Sequence, residues 1–171
     1  LWLCQGTGRH GQAVALFEKL LNLYKKTKNI QGTAHCLFQI GLCYRLANQN
    51  KKALQVFGKT AKFYQKEKML ERLANTYREI GTVYFYMQEY EIAKKWHIQS
   101  KEILKKLDEK DDYGLTLIRL GQTEMSLKNY QKADRLMQQA LKLIQQGGSW
   151  FYEVLAQYFN GCLNFHQKKY Q

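Results

Sequence analysis

The side chains best suited to chemistry in this chain are its histidines. His10, His35, His97 and His166 show no i, i+3 or i+4 spacing with a further ligand, the arrangement that would place zinc ligands on one helix face. His35 and Cys36 are neighbours, but adjacent side chains diverge on a helix and no acid completes a catalytic triad. The sequence therefore predicts no metal site, no cofactor and no catalytic activity.

The cysteines do not form a recognisable motif either. Cys4, Cys36, Cys43 and Cys162 follow no Cys-X-X-Cys spacing. We interpret them as small core residues in a reducing, intracellular compartment, with disulfide bonds as the alternative. No signal peptide opens the chain, so a cytoplasmic location is expected.

Small residues recur at a fixed step of forty positions, and this step indicates the repeated helices that must position any functional side chain. A period of this length is typical of one supersecondary unit stacked several times. A small residue at each step lets two antiparallel helices approach closely. The residues predicted to pack helix against helix are Gly41, Ala53, Gly81, Ala93, Gly121, Ala133 and Gly161.

Larger side chains follow the same step. Leu37, Ile40 and Tyr44 fall at i, i+3 and i+7, on one face of a helix, and Ala53 and Phe57 repeat this on the next helix. The next repeat keeps the pattern in Tyr77, Ile80, Tyr84 and Ala93, with His97 in place of the phenylalanine. The repeat after it keeps Leu117, Leu120 and Ala133, with Glu124 in place of the tyrosine.

This pattern resembles the tetratricopeptide repeat, although the proline of that family is absent here. The step of forty exceeds the family's usual thirty-four, and it is similar to the long-unit subclass of Pins-type mitotic-spindle scaffolds. The extra residues are expected to lengthen the second helix and the link between units. The resemblance implies an all-α superhelical solenoid of stacked antiparallel helix pairs, acting as a non-catalytic scaffold that holds protein partners. Cytoskeletal or ciliary association would fit the same subclass.

The repeat register divides the chain into one solenoid over residues 1–171. The expected repeats are a partial first at 1–28, full repeats at 29–69, 70–108 and 109–147, and a partial fifth at 148–171, so we expect a fragment of a longer array. Helices are predicted near 9–27, 30–47, 50–69, 71–87, 90–107, 112–127, 130–146 and 150–167, with Asp111 or Asp112 capping the sixth and Ser149 the last. Residues 6–11 read GTGRHG, but this register places them in a turn rather than in a nucleotide-binding loop.

Composition agrees with an all-helical interaction module. The 171 residues are 45% hydrophobic, contain no proline, and include no apolar run of eighteen residues. The net charge of +13 favours acidic partners.

The resemblance also implies where a partner would bind. In the family, the first helix of each repeat lines a concave face. Carried onto this chain, the groove residues are His35, Phe38, Leu42, Arg45, Asn75, Arg78, Thr82, Phe85, Tyr86, Leu115, Ile118, Gln122, Met125, Tyr158, Cys162 and Phe165. We expect Arg45 and Arg78 to meet acidic residues of an extended or helical peptide, with Phe85, Tyr86 and Ile118 among its apolar anchors.

A second surface is indicated by lysines that share the forty-residue step. Lys26, Lys66 and Lys106 are expected to form a basic column at the ends of the second helices. A solubilising role at helix C-termini is one interpretation. The alternative function is a basic helical repeat that binds nucleic acid or an acidic polymer through its convex face. Nucleic acid is the less expected partner, because no arginine-rich or aromatic-interleaved stripe accompanies the lysines. Self-association through the cut repeat ends is a further expectation.

Overall fold

The computed structural model describes residues 9–147, together with Val154, Gln157–Phe159 and Gly161, and every element in this part of the chain is an α-helix. The helices are α1 (His10–Lys26), α2 (Ile30–Leu46), α3 (Asn50–Lys66), α4 (Leu70–Tyr86), α5 (Tyr90–Leu107), α6 (Lys110–Ser126) and α7 (Tyr130–Gly147). A new helix therefore begins every twenty residues, which confirms the all-α fold of paired helices. Most of the predicted last helix and its Ser149 cap lie outside the described residues.

The links between these helices are two or three residues long. Within the first unit of the chain α1 packs on α2 and α2 on α3, and later in the chain α5 packs on α6 and α6 on α7, as short links favour for antiparallel neighbours. First and second helices have nearly equal lengths of 17 and 17–18 residues. The second helix of a repeat is therefore no more than one residue longer than the first, and the links between repeats are no longer than those within them.

Each of the helices α1 to α6 is followed by a left-handed residue that is not glycine. At the end of α1, Lys28 has φ 53° and donates its N–H to the carbonyl of Lys25, while Asn29 donates to the carbonyl of Tyr24 at 2.8 Å. This Schellman arrangement satisfies carbonyls that the helix would otherwise leave without partners. The left-handed residues, again twenty apart, are Lys28, Asn48, Lys68, Gln88, Asp108 and Lys128.

The helix starts are less uniform. Before α2, the Asn29 side chain accepts a hydrogen bond from the Gly32 N–H at 2.8 Å, an N-cap that fixes where the helix begins. Before α6 the N-cap residue is Glu109, without a side-chain cap bond. The prediction that Asp111 or Asp112 caps this helix is wrong, because both lie inside its first turn, where a negative charge suits the helix dipole.

The chain forms two compact units, residues 1–83 and 84–171, with the boundary inside α4. We call them the first and second units. In the first unit, α1 and α2 enclose a core; its buried members are Val14, Leu21, Cys36, Ile40 and Cys43. In the second unit, α6 and α7 enclose a core of Leu117, Ile118, Ala133, Met137, Ala140 and Ile144.

Glycines at the repeat step lie where two helices meet. A Cβ built on Gly41 would come within 2.5 Å of the Phe57 ring, and one on Gly121 within 2.8 Å of Met137 Cε. Gly81 is buried, and Ala53, Ala93 and Ala133 are fully buried. Gly161 differs: it is exposed, and no described atom lies within 4 Å of a Cβ placed there. The packing role of Gly161 therefore stays a prediction.

A membrane crossing would need a longer and more apolar helix than any in the described part of the chain.

Candidate interaction surface

The histidines and cysteines occupy unrelated places. His97 is buried, with Nδ1 3.1 Å from Thr123 Oγ1, so it packs as a core histidine. His35 is exposed while its neighbour Cys36 is buried, and burial raises the pKa of the Cys36 thiol, which disfavours the reactive thiolate. Among the described residues, no three His, Cys, Asp or Glu side chains are grouped so that they could hold a metal ion.

Two cysteines can be placed. Cys36 and Cys43 both lie in the core of the first unit, and neither forms a disulfide within the part of the chain that the structure describes. This agrees with their interpretation as small core residues. Cys4 and Cys162 lie outside the described residues.

We use the term inner face for the side of α2, α4 and α6 that the family resemblance assigns to partner binding. On α2, His35 is exposed, Phe38 and Arg45 are half-buried, and Leu42 is buried. The ring of Phe38 packs against that of Phe57, with centroids 5.9 Å apart. The inner face of the first unit is therefore a shallow, partly apolar surface.

The two arginines expected to meet an acidic partner are already engaged. Arg45 Nε lies 2.9 Å from Glu79 Oε2, a salt bridge that joins α2 to α4 within the first unit. Arg78 is buried and donates from Nη1 to Asn75 Oδ1 at 2.8 Å. Buried Thr82 donates to the Arg78 carbonyl at 2.9 Å. Neither side chain therefore offers open positive charge on this face, since Arg45 is paired with Glu79 and Arg78 is buried. Their contact with an acidic partner stays a prediction.

The inner face of the second unit is more aromatic. Tyr86 is 56% exposed. Phe85 makes an edge contact with the Tyr86 ring at 5.9 Å and a tilted contact with the Tyr90 ring at 5.4 Å. We call these three residues the aromatic cluster. Tyr86 is open to solvent, Phe85 contacts its ring, and Tyr90 contacts Phe85 in turn.

The remaining predicted groove residues of this unit divide by burial. Leu115 and Met125 are half-buried, but Ile118 is fully buried in the core and Gln122 is buried, accepting a hydrogen bond from Arg119 Nη1 at 3.0 Å. Ile118 is therefore a core residue rather than an anchor. Tyr158 is 64% exposed, while Cys162 and Phe165 lie outside the described residues.

Sequence reasoning missed a buried charge network in the second unit. Glu124 is fully buried, with Oε1 2.6 Å from Lys132 Nζ and 3.3 Å from Lys94 Nζ, and Asn129 Nδ2 donates to Oε2 at 2.8 Å. Burial raises the pKa of this carboxyl, but the hydrogen bonds from Lys132 and Asn129 outweigh burial, so the pKa lies below its ordinary value. The only sequence signal was the acid standing in a tyrosine position.

Positive charge is distributed unevenly. The basic-column residues Lys26, Lys66 and Lys106 are exposed, each in the last turn of its helix. Residues 1–83 carry 14 Lys and Arg against 4 Asp and Glu, a balance of +10, whereas residues 84–171 carry 13 against 10, a balance of +3. Most of the net charge therefore belongs to the first unit.

Together, the helix pairs, their repeated step and their close glycine contacts define an α-helical repeat protein. The chain belongs to the tetratricopeptide repeat family, whose model matches residues 3–66 and 72–146. The fold is one that is typical of protein–protein interaction scaffolds. No curated protein gives a significant match.

Solved structures with a similar fold come from several organisms. BtubC (BKLC) from P. vanneervenii is 13% identical with a TM-score of 0.74, over 99% of this chain and 78% of that one. A putative kinesin light chain from Podosopora anserina with nearly identical TPR-like repeats is 15% identical with a TM-score of 0.72, and the match covers 97% of this chain and 82% of that one. The apo form of RapI is 16% identical with a TM-score of 0.79, and the match covers 95% of this chain and 45% of that one. At these identities the likeness concerns the fold alone.

Proposed function

We propose that this chain is a non-catalytic scaffold that binds a peptide segment of a partner protein on its inner face. The observation that carries the proposal is the aromatic cluster of the second unit, in which Tyr86 remains 56% exposed at a position that the family uses for partner contact. An exposed, well-supported aromatic side chain is a common anchor in protein interfaces.

The aromatic cluster is suited to this role because its geometry is already set. Phe85 contacts both Tyr86 and Tyr90, so the Tyr86 ring has a fixed neighbour before any partner arrives. A pre-organised aromatic residue loses little conformational freedom on binding. The half-buried Leu115 and Met125 add apolar surface on α6 of the same unit.

The first unit supports a related but more polar contact. His35 and Phe38 are accessible to a partner, and the Arg45–Glu79 salt bridge lies on the same face. A partner carboxylate would have to compete with Glu79 for Arg45, so we expect apolar contacts to supply most of the affinity and the salt bridge to contribute specificity.

Calorimetric titration against a partner found by cross-linking to the full chain tests this proposal. Tyr86→Ala is expected to weaken binding by about thirtyfold, the effect of losing roughly 2 kcal/mol at an anchor. Ile92→Ala is the matched control, because Ile92 is 38% exposed in the same unit but lies on a second helix. Equal affinities of Tyr86→Ala and the parent chain for the partner would show that Tyr86 is not an anchor and would contradict binding on the inner face.

A second candidate function is favoured by the +10 balance of the first unit, which suits nucleic acid or another acidic polymer. Such binding would weaken steeply with added salt, because it depends on counterion release. Binding of the partner that is nearly independent of salt between 50 and 200 mM would exclude this candidate.

A further inference from the structure

A groove lies between the C-terminal end of α1, the start of α2 and the second half of α3. Its volume is about 500 Å³, and all of its lining residues belong to the first unit. We call it the outer groove and define it by an apolar floor of Ile30, Leu37 and Phe63 and a rim of Lys25, Lys28 and Lys59.

The outer groove and the inner face are on different sides of α2. Successive residues on an α-helix are separated by about 100° around its axis. On this basis Leu37 lies about 100° from Phe38, the inner-face aromatic of the same helix. A partner in the outer groove would therefore leave the inner face open, and the two surfaces can be tested independently.

The floor of the outer groove is apolar surface that the fold leaves uncovered. Ile30 is 50% exposed, while Leu37 and Phe63 are half-buried. Ile30 is the first residue of α2, and its position is fixed by the Asn29 cap and by the left-handed Lys28. Apolar side chains held in a groove and bordered by polar residues are typical of an interaction site.

The rim of the outer groove carries charge of one sign. Lys25, Lys28 and Lys59 are all exposed, and no acidic residue lines the groove. Neither α2 nor α3 contains an aspartate or a glutamate. The groove therefore offers apolar contact at its floor and unneutralised positive charge at its edge.

We propose that the outer groove binds an acidic amphipathic peptide segment of a partner protein. Large apolar side chains of the segment pack on Ile30, Leu37 and Phe63. Its carboxylates pair with the rim lysines, which select acidic segments and speed their association. An oligonucleotide lacks the apolar side chains that the floor requires, so the combination of floor and rim favours a peptide.

Selection of a phage-displayed library of random twelve-residue peptides on the full chain tests this proposal. The expected result is enrichment of peptides that combine Asp or Glu with Leu, Phe or Trp. Enriched peptides are then synthesised with a fluorescein label, and their binding is measured by fluorescence polarisation. A selection that enriches no acidic and apolar peptides would overturn the proposal.

Two variants examine floor and rim separately. Ile30→Asp and the double variant Lys28→Glu/Lys59→Glu are each expected to weaken binding of the labelled peptide at least tenfold. The double variant changes only exposed side chains, so it reports on the groove even if Ile30→Asp disturbs α2. Melting followed by circular dichroism verifies the fold of each variant.

Matched controls carry the same chemical changes elsewhere in the first unit. Leu16→Asp alters a side chain that is 59% exposed, and Lys19→Glu/Lys51→Glu alters two exposed lysines, all outside the groove. Both controls are expected to bind the peptide like the parent chain. The proposal is overturned if Lys19→Glu/Lys51→Glu weakens binding as much as the rim variant, which would indicate general attraction to a basic surface.

Two further outcomes separate the outer groove from the other surfaces. Loss of peptide binding in Tyr86→Ala, with normal binding in both groove variants, would assign the peptide to the inner face and overturn this proposal. Displacement of the peptide by a mixed-sequence twenty-nucleotide DNA strand at 150 mM salt, but not by unlabelled peptide, would assign the lysines to nucleic acid and also overturn it.

Discussion

The two units place a lysine at the same step of the repeat, but the lysine has a different partner in each. In the first unit, Lys52 Nζ lies 5.5 Å from the centroid of the Tyr44 ring. Eighty residues later, Lys132 Nζ lies 2.6 Å from the carboxylate of fully buried Glu124, which occupies the tyrosine position. The same repeat position can therefore hold either a lysine over a tyrosine ring or a lysine paired with a buried carboxylate.

The two units also differ in net charge, because they hold similar numbers of basic residues but 4 and 10 acidic ones. The second unit offsets its lysines with acids, as the Glu124 network illustrates, and its balance is only +3. The first unit has few acids, and one of them, Glu79, is committed to Arg45. Its lysines therefore remain available to an acidic partner.

The largest expected effect compares the close helix contacts of the two units. Gly41→Ala is expected to lower the free energy of unfolding by about 1–3 kcal/mol, because its Cβ would meet the ring of fully buried Phe57. Gly121→Ala is expected to cost less, because its Cβ meets the flexible end of Met137. Urea denaturation of both variants provides the measurement.

Gly58→Ala is the matched control for these two substitutions. Gly58 lies inside α3, and nothing lies within 4 Å of a Cβ built there. Alanine is the better helix former, so this variant is expected to be more stable by up to about 1 kcal/mol. Destabilisation of Gly58→Ala equal to that of Gly41→Ala would contradict the close-contact explanation.

The next effect compares the two equivalent lysines. Lys132→Met is expected to cost about 1–2 kcal/mol, less than a fully broken buried ion pair because Lys94 and Asn129 still contact Glu124. Lys52→Met is expected to cost about 0.5 kcal/mol, the size of an exposed cation–π contact. Thermal melting of the two variants side by side would show whether this order is reversed.

A smaller effect should appear in the acid range. The pKa of Glu124 in the folded chain lies below 4.5, so the ion pairs stabilise the fold above that pH, and this contribution is lost as the pH falls through the folded pKa. Glu124→Gln should therefore lose less stability than the parent between pH 5 and pH 3. The free energy of unfolding of both proteins is measured by urea denaturation across this pH range. If it falls equally in Glu124→Gln and in the parent, Glu124 is not charged in the native state.

The smallest expected effect concerns the left-handed helix ends. Gln88→Gly is expected to raise stability by up to about 1 kcal/mol, because Gln88 has φ 64° and glycine adopts this conformation without a Cβ penalty. Asn48→Gly should gain less, since asparagine tolerates the left-handed region better than glutamine does. Calorimetric melting temperatures would reveal whether the two substitutions differ in this order.

Much of the fold followed from the sequence because close packing leaves a periodic trace. The forty-residue step located Gly41 and Gly121 at contacts where an added Cβ would crowd a side chain of the neighbouring helix. The same step also relates buried Ala34 and Ala74 to Gly114, where an added Cβ would meet Ile144 at 2.7 Å. This set is harder to recognise in the sequence because it mixes alanine with glycine.

The candidate site was harder to predict because exposure depends on neighbours distant in sequence. Arg78 and Ile118 occupy positions that the family uses for binding, yet both are buried in this chain. The partner of Arg45 is Glu79, 34 residues away, and no spacing rule relates the two. Family resemblance located the face, whereas packing decided which side chains on it remain accessible.

The short links and the absence of proline have a consequence for folding kinetics. Within each unit, links of two or three residues bring together helices adjacent in sequence, so the contact order of the unit is low. The chain also contains no proline, so no slow prolyl isomerisation phase of tens of seconds interrupts refolding. Each unit should therefore regain its helices and core within milliseconds, and folding can nucleate at any helix pair.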